Sequence, residues 1–141
     1  MTLAWVAHNS DEYLLAVELR RRVLRAPLGL DFSEEDLAAE ADQLHLVAFG
    51  EGTALGCLIL VPIKLGFKMR QVAVDPEFQR RGIGEQLVRE SERIAVEMGA
   101  AKMELNARLT AVDFYKRLGY TVVGEEFIEV GIPHLNMLKA F

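Results

Sequence analysis

Gln71-Val72-Ala73-Val74-Asp75-Pro76-Glu77-Phe78-Gln79-Arg80-Arg81-Gly82-Ile83-Gly84 reads as a strand, a turn, a glycine-containing loop and the start of a helix. Pro76, which has no amide hydrogen, closes the strand. Gly82 and Gly84 let the backbone come close to a ligand with no side chain in the way. A helix start adds unpaired amides and the positive end of the macrodipole, and Arg80 and Arg81 add charge, so the segment suits a diphosphate. Two familiar phosphate motifs do not fit. The chain has no Gly-Lys-Ser/Thr run, and Leu87 stands where a dinucleotide fingerprint requires glycine or alanine.

Outward from this loop the chain alternates between two periodicities. Leu3 to His8 reads as an opening strand, and Asn9-Ser10-Asp11 caps a helix from about Asp11 to Arg25, with Leu15, Leu19 and Val23 on its inner stripe. The cluster Arg20-Arg21-Arg22 with Arg25 reads as its solvated face, the other reading being a role in placing substrate or phosphates. Ala26-Pro27-Leu28-Gly29 breaks that helix, and Ser33 with three following acids opens a short second one that ends near Asp42. Leu44 to Gly50 and Ala54 to Ile63 are strands joined at Glu51-Gly52-Thr53, and Gly66 to Asp75 is a third. A helix runs from Gly82 to Met98 on Ile83, Leu87, Ile94 and Met98, and Gly99 stops it. Ala101 to Ala107 is a strand, Thr110 caps a helix over Ala111 to Leu118, and Tyr120 to Val123 and His134 to Ala140 are the last strands. The order β-α-α-β-β-β-α-β-α-β-β predicts a mixed α/β sheet within one domain, 1–141.

Composition narrows the function. The 141 residues suffice for a single core, 51% hydrophobic and 26% charged residues are globular proportions, and no apolar run reaches the roughly 18 residues of a membrane span. A net charge of −5 with only local basic clusters argues against nucleic acid as a partner. The amino terminus lacks the features of a secretory signal, and the single cysteine, Cys57, permits no internal disulfide and no multi-cysteine metal site; cytoplasmic residence and no metal are the expectation. Cys57 lies inside a strand and reads as a buried, inert thiol. His8 and His45 read as structural.

The chain resembles the GNAT superfamily of N-acetyltransferases, whose cofactor loop Gln/Arg-x-x-Gly-x-Gly/Ala is matched by Gln79, Gly82 and Gly84. The likeness extends through Val72-Ala73-Val74, Asp75-Pro76, Leu105-Asn106-Ala107 and Asp113-Phe114-Tyr115-Lys116-Arg117-Leu118-Gly119-Tyr120, most of residues 44 to 141. The tail from Val123 to Met137 is similar to that of the ElaA-like branch. The resemblance implies a mainly antiparallel sheet of about seven strands with helices on both faces, acetyl-coenzyme A (acetyl-CoA) as co-substrate and a primary amine as acceptor, with a homodimer left open. It implies that Gln79, Arg80, Arg81, Gly82, Ile83, Gly84 and Glu85 hold the pyrophosphate, and that Val72, Ala73 and Val74 pair with the pantetheine arm. Asn106, Phe114 and Tyr115 then line its other side. A non-catalytic acyl-CoA sensor of the same fold is the competing expectation.

The reaction needs an oxyanion donor, an acid for the thiolate and a base for the amine. A backbone amide near Ala73 or Val74 is expected to supply the first, and the Tyr115 phenol the second, the role the family gives that position. For the base, Glu126, Glu129, Glu104 and His134 are all candidates, acting directly or through water.

Overall fold

A computed structural model describes residues 1–141. Its strands are β1 (Thr2–Val6), β2 (Leu44–Gly50), β3 (Thr53–Ile63), β4 (Gly66–Val74), β5 (Lys102–Arg108), β6 (Thr121–Glu129) and β7 (Ile132–Ala140). Its helices are α1 (Asp11–Arg20), α2 (Glu34–Ala38), α3 (Ile83–Glu97) and α4 (Val112–Arg117). One seven-stranded sheet, in the order β1-β2-β3-β4-β5-β7-β6, takes in every strand. β4 and β5 pair in parallel and all other neighbours are antiparallel.

Local chemistry explains most of the boundaries. The Ser10 hydroxyl accepts from the Tyr13 amide at the start of α1. Ser33 and Asp36 form a reciprocal capping box on α2. Glu51 and Gly52 both take positive φ, 54° and 75°, as a two-residue hairpin with right-handed strand twist requires. Val130 and Gly131 do the same between β6 and β7.

Four expectations are corrected. The first helix is regular only to Arg20; Arg21–Arg25 form a π turn closed by the Ala26 amide on the Arg21 carbonyl, and the helix buries Tyr13, Ala16, Val17, Leu19 and Arg20 while Leu15 is exposed. α2 ends at Ala38. Thr110 is not a cap: a 3-10 turn over Leu109–Ala111 precedes α4, and Ala111 occupies the cap position without a side-chain bond. β6 runs on to Glu129 across an irregularity between Val123 and Phe127, in which Gly124, Glu125 and Glu126 face only Leu135.

Two cores of unequal size flank the sheet. α3 and α4 cover a cluster of 19 buried residues that includes Leu58, Met69, Leu87, Leu105 and Met137. The other face, under α1, buries six: Ala16, Leu19, Val47, Ala54, Cys57 and Ala73. Gly56 is needed where α3 sits on the sheet, because a Cβ there would lie 2.9 Å from Leu87 Cδ1 and 3.0 Å from Ile83 Cγ2. Cys57 is buried, and burial pushes its thiol up to about 12, so it stays protonated and unreactive at neutral pH.

Candidate active site

The site begins with a break in the sheet. Gln71 takes φ 54° in mid-strand, and the β3–β4 register jumps there, from Ile59 opposite Arg70 to Cys57 opposite Ala73. One more residue is thus spent on β4 than on β3, and the strand bends. Parallel pairing with β5 covers only Gly66 to Met69, so beyond Met69 the two strands part. The gap is a cavity of about 200 Å³. Its walls include Gln71 and Val72 from β4, Asn106 and Arg108 from β5, Tyr115 from α4, Glu129 and His134 from the β6–β7 hairpin, and Leu24 and Arg25 from the π turn.

Amide directions follow from the register. Gly56 stands opposite Val74, and just beyond this pair the Asp75 amide donates to the Leu55 carbonyl at 2.8 Å. Amides alternate along a strand, so that of Val74 points away from β3 into the parting with β5, whereas that of Ala73 is turned to Cys57. Of the two expected oxyanion donors, Val74 has the right direction.

Below the gap, the loop is held by its own side chains. Gln79 donates to the Val74 carbonyl at 3.2 Å, Asp75 accepts from the Glu77 amide at 3.0 Å, and Arg81 lies 5.1 Å from the Phe78 ring centroid. Arg80 and Gly82 both have positive φ, 65° and 80°. The first helical bond of α3 is Gln86 N–H to the Gly82 carbonyl at 3.0 Å, so the amides of Ile83, Gly84 and Glu85 have no intrahelical acceptor. Space beside Gly82 is open: an added Cβ would meet nothing within 4 Å. Gly84 is tight, because a Cβ there would come 3.2 Å from Phe114, so this glycine lets α3 meet α4. The Ile83 side chain is in the core, and Glu85 pairs with Arg89 at 3.0 Å, leaving each only its amide to offer.

Tyr115 is 6% exposed and packs edge-on against Phe114 and Tyr120, at 5.0 and 5.8 Å between centroids. Burial alone raises its phenol above the ordinary value, with no hydrogen bond or charge contributing, so the proton stays on the oxygen throughout the physiological range. Asn106 Nδ2 donates to Glu129 Oε1 at 3.3 Å, and its oxygen accepts from Asn136 Nδ2 at 3.1 Å.

His134 is 4% exposed, with Nδ1 2.8 Å from the Ile132 carbonyl and Nε2 3.6 Å from Glu129 Oε2. A carbonyl only accepts, so Nδ1 carries the hydrogen and the neutral ring keeps a lone pair on Nε2. Of the base candidates, then, Glu129 and His134 stand together at the cavity. Glu126 does not: it is exposed within the three-residue irregularity of edge strand β6. Glu104 is also apart, paired with Lys102 at 3.6 Å.

The arginine cluster divides, against the expectation of one solvated face. Arg21 pairs with Asp31 and with Glu18, and Arg22 lies 3.6 Å from Asp75. Arg20 is 1% exposed and forks onto Glu40, Nη1 to Oε1 at 2.8 Å and Nη2 to Oε2 at 2.6 Å. Tyr13 donates to the same carboxylate at 2.7 Å, and His45 Nε2 meets the Glu40 carbonyl at 3.0 Å. No local signal pairs positions 20 and 40, which the fold alone brings together. Arg25 goes to the cavity.

An acetyltransferase (GNAT) domain model matches residues 29–141. The chain belongs to this family and is an acyltransferase. It is 31% identical over 138 residues to the uncharacterized N-acetyltransferase YjcF of Bacillus subtilis (strain 168), covering 96% of this chain and 98% of that one. Among solved structures, Escherichia coli ElaA shares the fold at TM-score 0.85 and 18% identity, covering 99% of both chains. A GNAT family acetyltransferase from Elizabethkingia anophelis, solved with acetyl-CoA bound, aligns at TM-score 0.76 and 17% identity over 99% of this chain and 97% of that one. No helix is long and apolar enough to cross a membrane.

Proposed function

We propose that residues 1–141 form one catalytic unit that transfers an acetyl group from acetyl-CoA to a primary amine at the gap between β4 and β5. The observation that carries this reading is the convergence on that gap of a buried phenol and a histidine–carboxylate pair. Acetyl-CoA, the co-substrate, supplies an activated thioester. The turn at Gly82 fits its diphosphate: the amides of Ile83, Gly84 and Glu85 are unpaired, the space is open, and Arg80 and Arg81 neutralise charge. Val72 offers an edge amide to the pantetheine arm, and Asn106, Phe114 and Tyr115 wall the opposite side.

The roles of the chain's own groups follow from their atoms. His134 Nε2 takes a proton from the incoming ammonium, and the Glu129 carboxylate stabilises the imidazolium that results. The Val74 amide donates to the thioester oxygen. Tyr115 gives its proton to the departing sulfur. As the C–N bond forms and the C–S bond breaks, the products are an acetamide and free coenzyme A thiol; a second proton lost from the amine nitrogen restores the phenol, and the imidazolium releases the first to solvent.

Acetyl-CoA at about a hundredfold excess over Kd is expected to stabilise the chain by about 2.7 kcal/mol, several degrees in Tm. An unchanged Tm at millimolar acetyl-CoA rejects the reading. Gly82→Glu, which puts a carboxylate where the diphosphate sits, is expected to abolish the shift and to lower the apo Tm by a few degrees, since the space is empty but an L side chain at φ 80° is strained by about 1–2 kcal/mol. A full shift in that variant moves the cofactor elsewhere.

The buried, unreactive Cys57 supports residence in a reducing cytoplasm, to be checked by fractionation. β6 supports a homodimer: it is an edge strand exposing Val123 and Ile128, and light scattering at working concentration decides the matter.

A further inference from the structure

The acceptor side of the cavity carries a charge pattern at odds with the rest of the molecule. The chain has a net charge of −5, yet Arg25, Lys68, Arg70 and Arg108 line the cavity and none has a carboxylate within ion-pair distance. The one acid in its wall, Glu129, is engaged with Asn106 and His134. The adjoining hollow, which shares Arg25, Arg70 and Gln71, contains Glu40 and Asp36, both already committed, to Arg20 and to Ser33.

Arg25 is held in place by construction. The π turn closes every five residues, so Arg25 stays on the side of Arg20, whereas an α-helix would have rotated it by about 140°. Both guanidinium groups accordingly sit over the Phe32 ring, at 4.5 and 4.7 Å from its centroid. Arg108 is fixed by donation from Nη2 to the Leu24 carbonyl at 3.2 Å. Gathering like charges without counter-charge costs free energy unless an anion completes the set. Burial first, and then the charges of Arg20, Arg108 and Arg70, hold Arg25 below the ordinary arginine value, a sign of that mutual repulsion.

We infer that the acceptor is a primary amine that also carries an anionic group, a carboxylate or a phosphate, which Arg25, Arg70 and Arg108 bind while its nitrogen is presented to His134. The inference rests on the acyltransferase reading of the same cavity and names its substrate class. Polyamines and aminoglycosides, cationic throughout, are disfavoured at such a wall.

Matched pairs test it: phenylalanine against phenethylamine, and phosphoethanolamine against ethanolamine, each assayed by thiol release from acetyl-CoA. The acidic member of at least one pair is expected to show kcat/KM at least about tenfold higher, the pair that does so separating carboxylate from phosphate. Arg25→Gln and Arg70→Gln are expected to raise its KM about tenfold while the KM for acetyl-CoA moves less than twofold; Arg21→Gln, whose arginine is paired with Asp31 away from the cavity, keeps the preference. Equal or reversed preference within both pairs overturns the inference.

A second measurement needs no turnover. Calorimetric titration of N-acetylphenylalanine and N-acetylphosphoethanolamine into protein saturated with coenzyme A is expected to show binding of at least one, lost in Arg25→Gln, and none of N-acetylphenethylamine. Binding of neither anion, or binding that coenzyme A displaces, assigns the arginines elsewhere and overturns the inference. A protein that fails to bind acetyl-CoA at all sinks the parent reading instead, a result the first thermal shift reveals separately.

Discussion

Tyr115→Phe is expected to lower kcat about a hundredfold while leaving the Kd for acetyl-CoA within about twofold. The substitution removes one oxygen and nothing else of consequence. The ring keeps its edge contacts with Phe114 and Tyr120, and no protein hydrogen bond is lost, so Tm should hold or rise slightly. Only the proton offered to the leaving sulfur disappears. Stopped-time thiol release at saturating acetyl-CoA, with calorimetry for the cofactor, separates the two quantities. Unchanged kcat assigns the residue to packing, and equal loss of kcat and cofactor affinity assigns it to cofactor binding.

Arg20→Met is expected to cost about 3–5 kcal/mol, a large share of the roughly 5–15 kcal/mol that holds a domain of this size together. The loss comes from what remains: the Glu40 carboxylate, buried with only Tyr13 to stabilise its charge. Replacing both partners, Arg20→Met with Glu40→Leu, should restore much of the stability, because two desolvated charges are then absent. Urea unfolding of the three proteins measures this, and a loss below about 1 kcal/mol in the single variant would show the pair to be solvated.

The same cluster sets the acid limit. Burial pushes the Glu40 carboxyl upward, but the Arg20 fork and charge and the Tyr13 hydroxyl outweigh it and hold the group below its ordinary 4.5. Its share of stability is therefore complete above about pH 4.5 and is lost as pH falls through the lower folded value. Burial likewise holds His45 below its ordinary 6.5, as a neutral ring; that share is present above pH 6.5 and shrinks as the unfolded chain takes up the proton first. Tm should fall in two steps on acidification. In Arg20→Met the lower step should vanish, since an unpaired buried carboxylate gains from protonation.

How far the sequence revealed these features depends on how local each one is. The cofactor turn could be read because its parts are consecutive: Pro76 ends a strand, Gly82 takes positive φ, and Ile83 begins a 3.6-residue repeat. All seven strands were visible as β-branched or alternating runs, but the irregularity in β6 hid half of that strand, since Gly124-Glu125-Glu126 has the composition of a turn. The parting of β4 from β5 left no mark at all. It depends on Gln71 adopting a left-handed conformation that glutamine does not advertise, and on a register that sets Gly66 beside Lys102. Likewise the arginines looked alike on a helical wheel, and only the π turn and the distant Glu40 gave Arg20, Arg21 and Arg25 three different fates.

The two cores, 19 residues on one side and six mostly small ones on the other, give the molecule a conservative half and a permissive half. Strands β4 and β5 with α3 and α4 are locked by dense interior contacts, so substitutions there are punished whatever the acceptor. The helix α1 rests on alanines, a cysteine and a few aliphatic groups, and it lies in the part that the family model leaves out. Descendants of this scaffold can therefore trade acceptor preference by rewriting the π turn that follows Arg20, with Tyr13 and Arg20 kept, at little risk to the machinery that holds the acetyl donor.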